Sequence, residues 1–144
     1  MKKSGFLFDT SSLLYVLKTK RYQKLGKNCY VLDLTFYEYG NAVLNLFTKR
    51  GNSDLPSWEA IRMLLQAYEK ISEQITVLNS ADHPMSLPEI FEFAKKENLT
   101  FYDASYLYCC LRYNLQLITE DSQLLASSHK NSIDAEDSNS WIGL

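Results

Sequence analysis

Four carboxylic acids in this sequence stand where a strand should end or a helix should begin: Asp9, Glu38, Asp103 and Asp121. Asp9 closes the apolar run Gly5-Phe6-Leu7-Phe8 and is followed by the hydroxyls of Thr10, Ser11 and Ser12. Glu38 ends Leu34-Thr35-Phe36-Tyr37-Glu38 and Asp103 ends Leu99-Thr100-Phe101-Tyr102-Asp103, two pentapeptides that differ only in which carboxylate comes last. Asp121 follows the apolar stretch Leu115-Gln116-Leu117-Ile118-Thr119 and one further acid, Glu120. Divalent ions such as Mg²⁺ and Mn²⁺ take hard oxygen ligands, so metal-assisted cutting of a phosphodiester calls for several acids facing one crevice. In an open parallel sheet, that crevice lies at the C-terminal edge of the strands. Each acid also has a local structural reading. Thr35 with Glu38, and Thr100 with Asp103, have capping-box spacing, which also favours the helix dipole. Asp9 and Asp121 can cap the helices that follow them. Spacing alone leaves both readings open, because 17 acidic residues permit many chance groupings.

The elements that must position these acids are read from periodicity. Residues 5–8 form a short buried strand, and Leu13, Leu14 and Leu17 then fall on one helical face. Cys29-Tyr30-Val31-Leu32 is a second strand. Thr35 opens a helix carrying Tyr39, Val43, Leu46 and Phe47, which Lys49, Arg50 and Gly51 close. A turn over residues 52–56 precedes a helix capped by Ser57, with Trp58, Ile61, Leu65, Tyr68 and Ile71 as its stripe. Residues 75–78 give a third strand. Ser86 and Glu89 have capping-box spacing at the head of a helix running to Asn98, and Thr100 starts the next. Residues 115–119 are a fourth strand, with an edge strand expected around Ile133 and an apolar anchor at Trp141. Alternating strands and helices predict an α/β fold, a parallel sheet covered on both faces.

The totals bound the class. At 144 residues, 46% hydrophobic and 22% charged, residues 1–144 are expected to form a single domain with one adequate core. Three cysteines, Cys29, Cys109 and Cys110, cannot all pair with one another, so reduced thiols are expected. Asp9 interrupts the only early apolar stretch and no long apolar run exists, so no signal peptide and no membrane span is expected, and the location is expected to be cytoplasmic. A formal charge of −2 counts against a scaffold that holds nucleic acid by bulk charge, while leaving room for an acidic site bridged to phosphate by metal.

Other chemistries fit less well. Ser11 stands where an aspartyl phosphatase would carry a second acid, and no Gly-x-Gly-x-x-Gly follows the first strand. His83 and His129 lie in turn-like sequence without zinc-ligand spacing, and are expected at the surface. Lys18, Lys20, Arg21, Lys24 and Lys27 form a basic cluster, either a solvated loop or a guide for RNA. Tyr15, Tyr37, Tyr102 and Tyr106 fall close to apolar faces and are expected to pack in a core or between subunits as readily as to stack on bases.

The segments around Leu7-Phe8-Asp9-Thr10-Ser11, Leu34 to Leu44, Tyr102-Asp103-Ala104-Ser105-Tyr106 and Ile118 to Leu124 resemble, in order and spacing, the motifs of PIN-domain nucleases, most closely the VapC-type toxins of toxin–antitoxin pairs. The resemblance spans residues 5 to about 125. It implies a three-layer α/β/α domain with a central parallel sheet of four to five strands. It also implies a Mg²⁺- or Mn²⁺-dependent endoribonuclease site whose acidic ligands are Asp9, Glu38, Asp103 and Asp121. Ser11 and Thr119 match the hydroxyl positions that orient a water or a ligand carboxylate. The family implies an RNA substrate, a small antitoxin and a homodimer. A PIN fold kept for binding RNA or protein without cleavage is the rival, against which the presence of all four acids argues. The acidic tail with Asp134, Glu136 and Asp137 departs from the pattern.

Overall fold

The structure, a computed structural model, describes residues 3–48 and 56–143. The elements run β1 (Gly5–Phe8), α1 (Thr10–Lys18), β2 (Cys29–Leu32), α2 (Asp33–Thr48), α3 (Trp58–Ser72), β3 (Thr76–Leu78), α4 (Leu87–Glu97), α5 (Phe101–Tyr113), β4 (Leu115–Ile118), α6 (Ser122–Lys130), β5 (Ala135–Glu136) and α7 (Ser138–Ile142). The five strands are all parallel, in the order β3-β2-β1-β4-β5.

Strand alternation splits the apolar residues between two helical layers. Phe6 and Phe8 of β1 face Trp141 of α7, at ring-centroid separations of 6.2 and 4.8 Å, in a cluster shared with α1, α2 and α3. Leu7 faces the other way, into a cluster with Leu32, Leu117, Tyr106 and Leu107, and with Leu124 of α6. The expected three-layer α/β/α arrangement is therefore present. Gly5 is required where β1 meets β2, because a Cβ there would lie 2.3 Å from the Asn28 carbonyl oxygen.

The chain leaves β1 toward β2 and β3 on one side, then returns to β4 and β5 on the other. Adjacent β1 and β4 thus diverge in their connections, and the C-terminal ends of this pair form the crevice where α/β sheets bind ligands. Phe8 pairs with Ile118 at that edge, directly before Asp9 and Thr119.

Several expectations shift in detail. Helix α2 starts at Asp33, so Thr35 lies inside it and does not cap it. The edge strand is Ala135–Glu136, while Ile133 is buried where the chain turns out of α6, its amide bonded to the Ser128 carbonyl at 2.8 Å. Trp58 is exposed, so the α3 stripe consists of buried Ile61, Tyr68 and Ile71 with partly buried Leu65 packed beside them. The helix-closing residues Lys49, Arg50 and Gly51, and the turn over 52–55, lie outside the described residues. All three cysteines are free and buried. Among the described residues, no helix is long and apolar enough to cross a membrane.

Candidate active site

Asp9 is the most enclosed of the four acids, 7% exposed at the end of β1. Its extended backbone makes it the N-cap of α1, and its Oδ1 accepts from the Ser12 amide at 3.0 Å, the Ser12 hydroxyl at 3.0 Å and the Ser11 hydroxyl at 2.8 Å. Its Oδ2 accepts from the Thr119 hydroxyl across the β1–β4 boundary. Burial raises the Asp9 carboxyl above its ordinary value, and the bonds from Thr119, Ser12 and Ser11 oppose that rise. Capping and membership of the crevice coexist at this residue.

Asp121, exposed, caps α6 by accepting from the Gln123 and Leu124 amides at 2.8 and 3.1 Å. Its own amide donates to Thr119 Oγ1 at 3.1 Å, so one hydroxyl joins the first acid to the last. Ser11 makes a second link, donating to Asp9 and accepting from the Glu120 amide at 3.0 Å. The two hydroxyls expected beside the outer acids thus hold the Asp9 carboxylate directly.

Asp103 stands in the first turn of α5, where Thr100 is the N-cap and accepts the Asp103 amide at 3.0 Å. Burial raises its carboxyl, followed in order by the negative charges of Asp121, Glu38 and Asp9. The other three acids therefore all lie within electrostatic reach of Asp103. A half-buried acid raised by three like charges is a pattern that concentrates at functional sites.

Glu38 is held differently. The capping-box reading fails here, because Thr35 sits within α2 and turns its hydroxyl inward to accept from the Leu32 amide at 3.2 Å. Glu38 Oε1 instead accepts from Thr10 Oγ1 at 3.1 Å and from the Tyr106 hydroxyl at 2.7 Å. Thr10, Ser12, Thr35 and Tyr106 are contributors that sequence reasoning did not single out. Tyr106 had a usable signal, since it follows Asp103 by one helical turn and so shares its face.

A set of carboxylates and hydroxyls is chemically suited to a hard divalent cation and to little else. Among the described residues, no three His, Cys, Asp or Glu side chains converge closely enough to hold a metal ion as placed. Three of the carboxylates accept from separate donors: Asp9 from Ser11, Ser12 and Thr119, Glu38 from Thr10 and Tyr106, and Asp121 from the α6 amides.

The surroundings sort the tyrosines and the basic residues named from the sequence. Tyr37 and Tyr102, each next to a site acid, are 73% and 57% exposed and belong to no core, whereas Tyr106 is buried. Of the basic cluster, Lys24 donates to the Trp141 carbonyl and lies 4.9 Å from the centre of its ring, and Lys27 donates to the Glu73 carbonyl at 3.2 Å. All five cations of the cluster are exposed, as a solvated loop requires. His129 is at the surface as expected, while half-buried His83 packs edge-on against Tyr113.

No protein-family model matches the chain. Over 133 residues it is 35% identical to Exonuclease VapC9 of Pyrobaculum aerophilum, an alignment covering 91% of this chain and 90% of that protein. The crystal structure of PAE2754 from Pyrobaculum aerophilum superposes with a TM-score of 0.72 at 31% identity, covering 96% of this chain and 86% of that one. With the parallel sheet, the acids gathered at its β1–β4 edge and a relative this similar along nearly its whole length, the chain belongs to the VapC-type PIN-domain nucleases.

Proposed function

We propose that residues 1–144 act as one PIN-like domain and that the protein is a metal-dependent endoribonuclease, the toxin of a toxin–antitoxin pair. Asp9, Glu38, Asp103 and Asp121 are its metal ligands, with Ser11 and Thr119 as supporting hydroxyls. The observation that supports this reading is the hydroxyl network at the C-terminal edge of the β1–β4 pair, where Thr119 joins Asp9 to the Asp121 amide and Thr10, next to Asp9, holds Glu38. A bound Mg²⁺ or Mn²⁺ supplies charge neutralisation at the scissile phosphate and an activated water there. The chain's own part is to hold the ligands. Ser11, Ser12 and Thr119 fix the Asp9 carboxylate, Thr10 and Tyr106 fix Glu38, and the α6 amides orient Asp121. An RNA substrate, a small antitoxin, a homodimer and a cytoplasmic location complete the proposal by kinship with VapC-type toxins.

The name of the Pyrobaculum relative favours a second reading, cleavage from an end. Circular and linear RNA of one sequence separate the two when incubated with the wild type and with Asp103→Asn, in Mn²⁺ and in chelator. Opening of the circle only by wild type with metal supports the endonuclease. Trimming of the linear form with the circle intact replaces it with the exonuclease, and no cleavage of either form counts against both.

A further inference from the structure

We propose that Tyr106 and Thr35 are positioning residues that fix the Glu38 carboxylate through a directed chain of hydrogen bonds beginning at the end of β2, an inference that rests on Glu38 being a metal ligand. The Leu32 amide donates to Thr35 Oγ1 at 3.2 Å, Thr35 Oγ1 lies 2.7 Å from the Tyr106 hydroxyl, and that hydroxyl donates to Glu38 Oε1 at 2.7 Å. A phenol has one proton and an ionised carboxylate has none. Tyr106 gives its proton to Glu38, so Thr35 must give its own to Tyr106. The direction of the chain is thereby set, from Leu32 through Thr35 and Tyr106 to Glu38.

The enclosure of the chain gives it stiffness. Thr35 is 0% and Tyr106 is 1% exposed, so neither hydroxyl exchanges its partner for solvent. Thr10 donates to the same Glu38 oxygen at 3.1 Å, and no described residue donates to the other. Two donors on Oε1 orient the carboxylate and leave Oε2 without a donor among the described residues. Tyr106 also belongs to α5, one turn beyond Asp103, so the same bond sets the separation between the acids of α2 and α5. The other fully buried large tyrosine behaves as core does, since the Tyr39 hydroxyl ends on the Leu64 carbonyl at 2.8 Å and touches no acid of the site.

The test compares wild type with Tyr106→Phe, Thr35→Val, Thr35→Ser and Glu38→Gln, using Mn²⁺ titration followed by electron paramagnetic resonance and thermal unfolding in chelator. Tyr106→Phe and Thr35→Val are expected to weaken Mn²⁺ binding by about 10- to 100-fold, the usual effect of removing a hydrogen-bond partner of a metal ligand. Thr35→Ser, which keeps the hydroxyl, should bind as wild type does. In the Glu38→Gln background, Tyr106→Phe should add no further loss. Unchanged Mn²⁺ affinity in a folded Tyr106→Phe overturns the proposal, whatever happens to its melting temperature, because that is the behaviour of a merely structural residue. Should Tyr106→Phe fail to fold, the Thr35→Val and Thr35→Ser pair decides, and equal affinities overturn it. A folded wild type without saturable Mn²⁺ binding is a different failure, that of the site reading itself, and takes this inference down with it.

Discussion

Replacing Asp9 with Asn is expected to remove cleavage and leave the fold nearly as stable as before. An amide oxygen at the Oδ1 position keeps the bonds from Ser11 Oγ at 2.8 Å and from Ser12 N and Oγ, both at 3.0 Å. The amide NH₂ then faces Thr119, whose hydroxyl must turn its proton away. Ser11 Oγ, 3.4 Å from Thr119 Oγ1, offers that proton an acceptor. One bond is therefore reversed and none is lost outright. Bonds to a neutral acceptor are about half as strong as charge-assisted ones, which destabilises the variant. Removing a charge whose burial raises its carboxyl acts the other way. The two effects oppose, so the net change should stay within about 1 kcal/mol, or about 4 °C in Tm for a domain of this size.

Cleavage should respond on another scale. Loss of a ligand's hydrogen-bond partner alone costs about 10- to 100-fold, so loss of the ligand charge should cost at least about 100-fold. The assay is single-turnover cleavage of a labelled RNA at saturating Mn²⁺, paired with circular-dichroism melts in chelator. A variant that cleaves within about threefold of wild type refutes the assignment of Asp9. A variant that loses cleavage together with about 15 °C of Tm refutes the argument differently, by making the carboxylate a structural group.

Asp9 and Asp103 both have folded-state pKa values above the ordinary carboxylate value of 3.8, so the folded chain holds their protons more tightly than the unfolded chain does. Their contribution to stability is complete below that value and is lost as pH rises through the raised ones. Urea unfolding in chelator from about pH 4 to pH 7 should show Asp103→Asn gaining stability relative to wild type as pH rises, and a constant difference would count against the raised carboxyl. Gly5→Ala should cost about 1–3 kcal/mol, because its Cβ meets the Asn28 carbonyl oxygen at 2.3 Å while that oxygen is already bonded to the Phe6 amide; an unchanged urea midpoint would refute the close approach. Tyr37→Ala and Tyr102→Ala, at exposed rings next to Glu38 and Asp103, should each weaken binding of unpaired RNA about tenfold, measured by anisotropy in an Asp9→Asn background. Mn²⁺ affinity should not move, and unaltered RNA binding in both variants would remove these rings from the substrate path.

Most of the fold is local and was legible for that reason. Phe6 and Phe8 alternate with Leu7, the capping residues Asp9, Ser57, Ser86, Thr100 and Asp121 all sit where their helices begin, and the strands fall where short apolar runs do. The nearness of Asp9 to Asp121 was not legible in the same way. It depends on β4 inserting beside β1, a pairing of Phe8 with Ile118 that no local pattern encodes. Only the resemblance to a known motif set pointed to it.

The repeated pentapeptide shows how tertiary context divides one local text into two roles. Before Thr100, Asn98 takes the left-handed conformation that ends α4, so α5 must begin afresh and Thr100 becomes its cap. Before Thr35, β2 passes straight into α2 at Asp33, whose carboxylate accepts the Leu34 amide at 3.0 Å within the first turn. Thr35 is therefore the third residue of the helix and does not cap it. Its hydroxyl is free to join the Leu32 amide to Tyr106, and Tyr106 to Glu38. The same difference that defeats the capping-box reading at Glu38 is what supplies that acid with a buried donor.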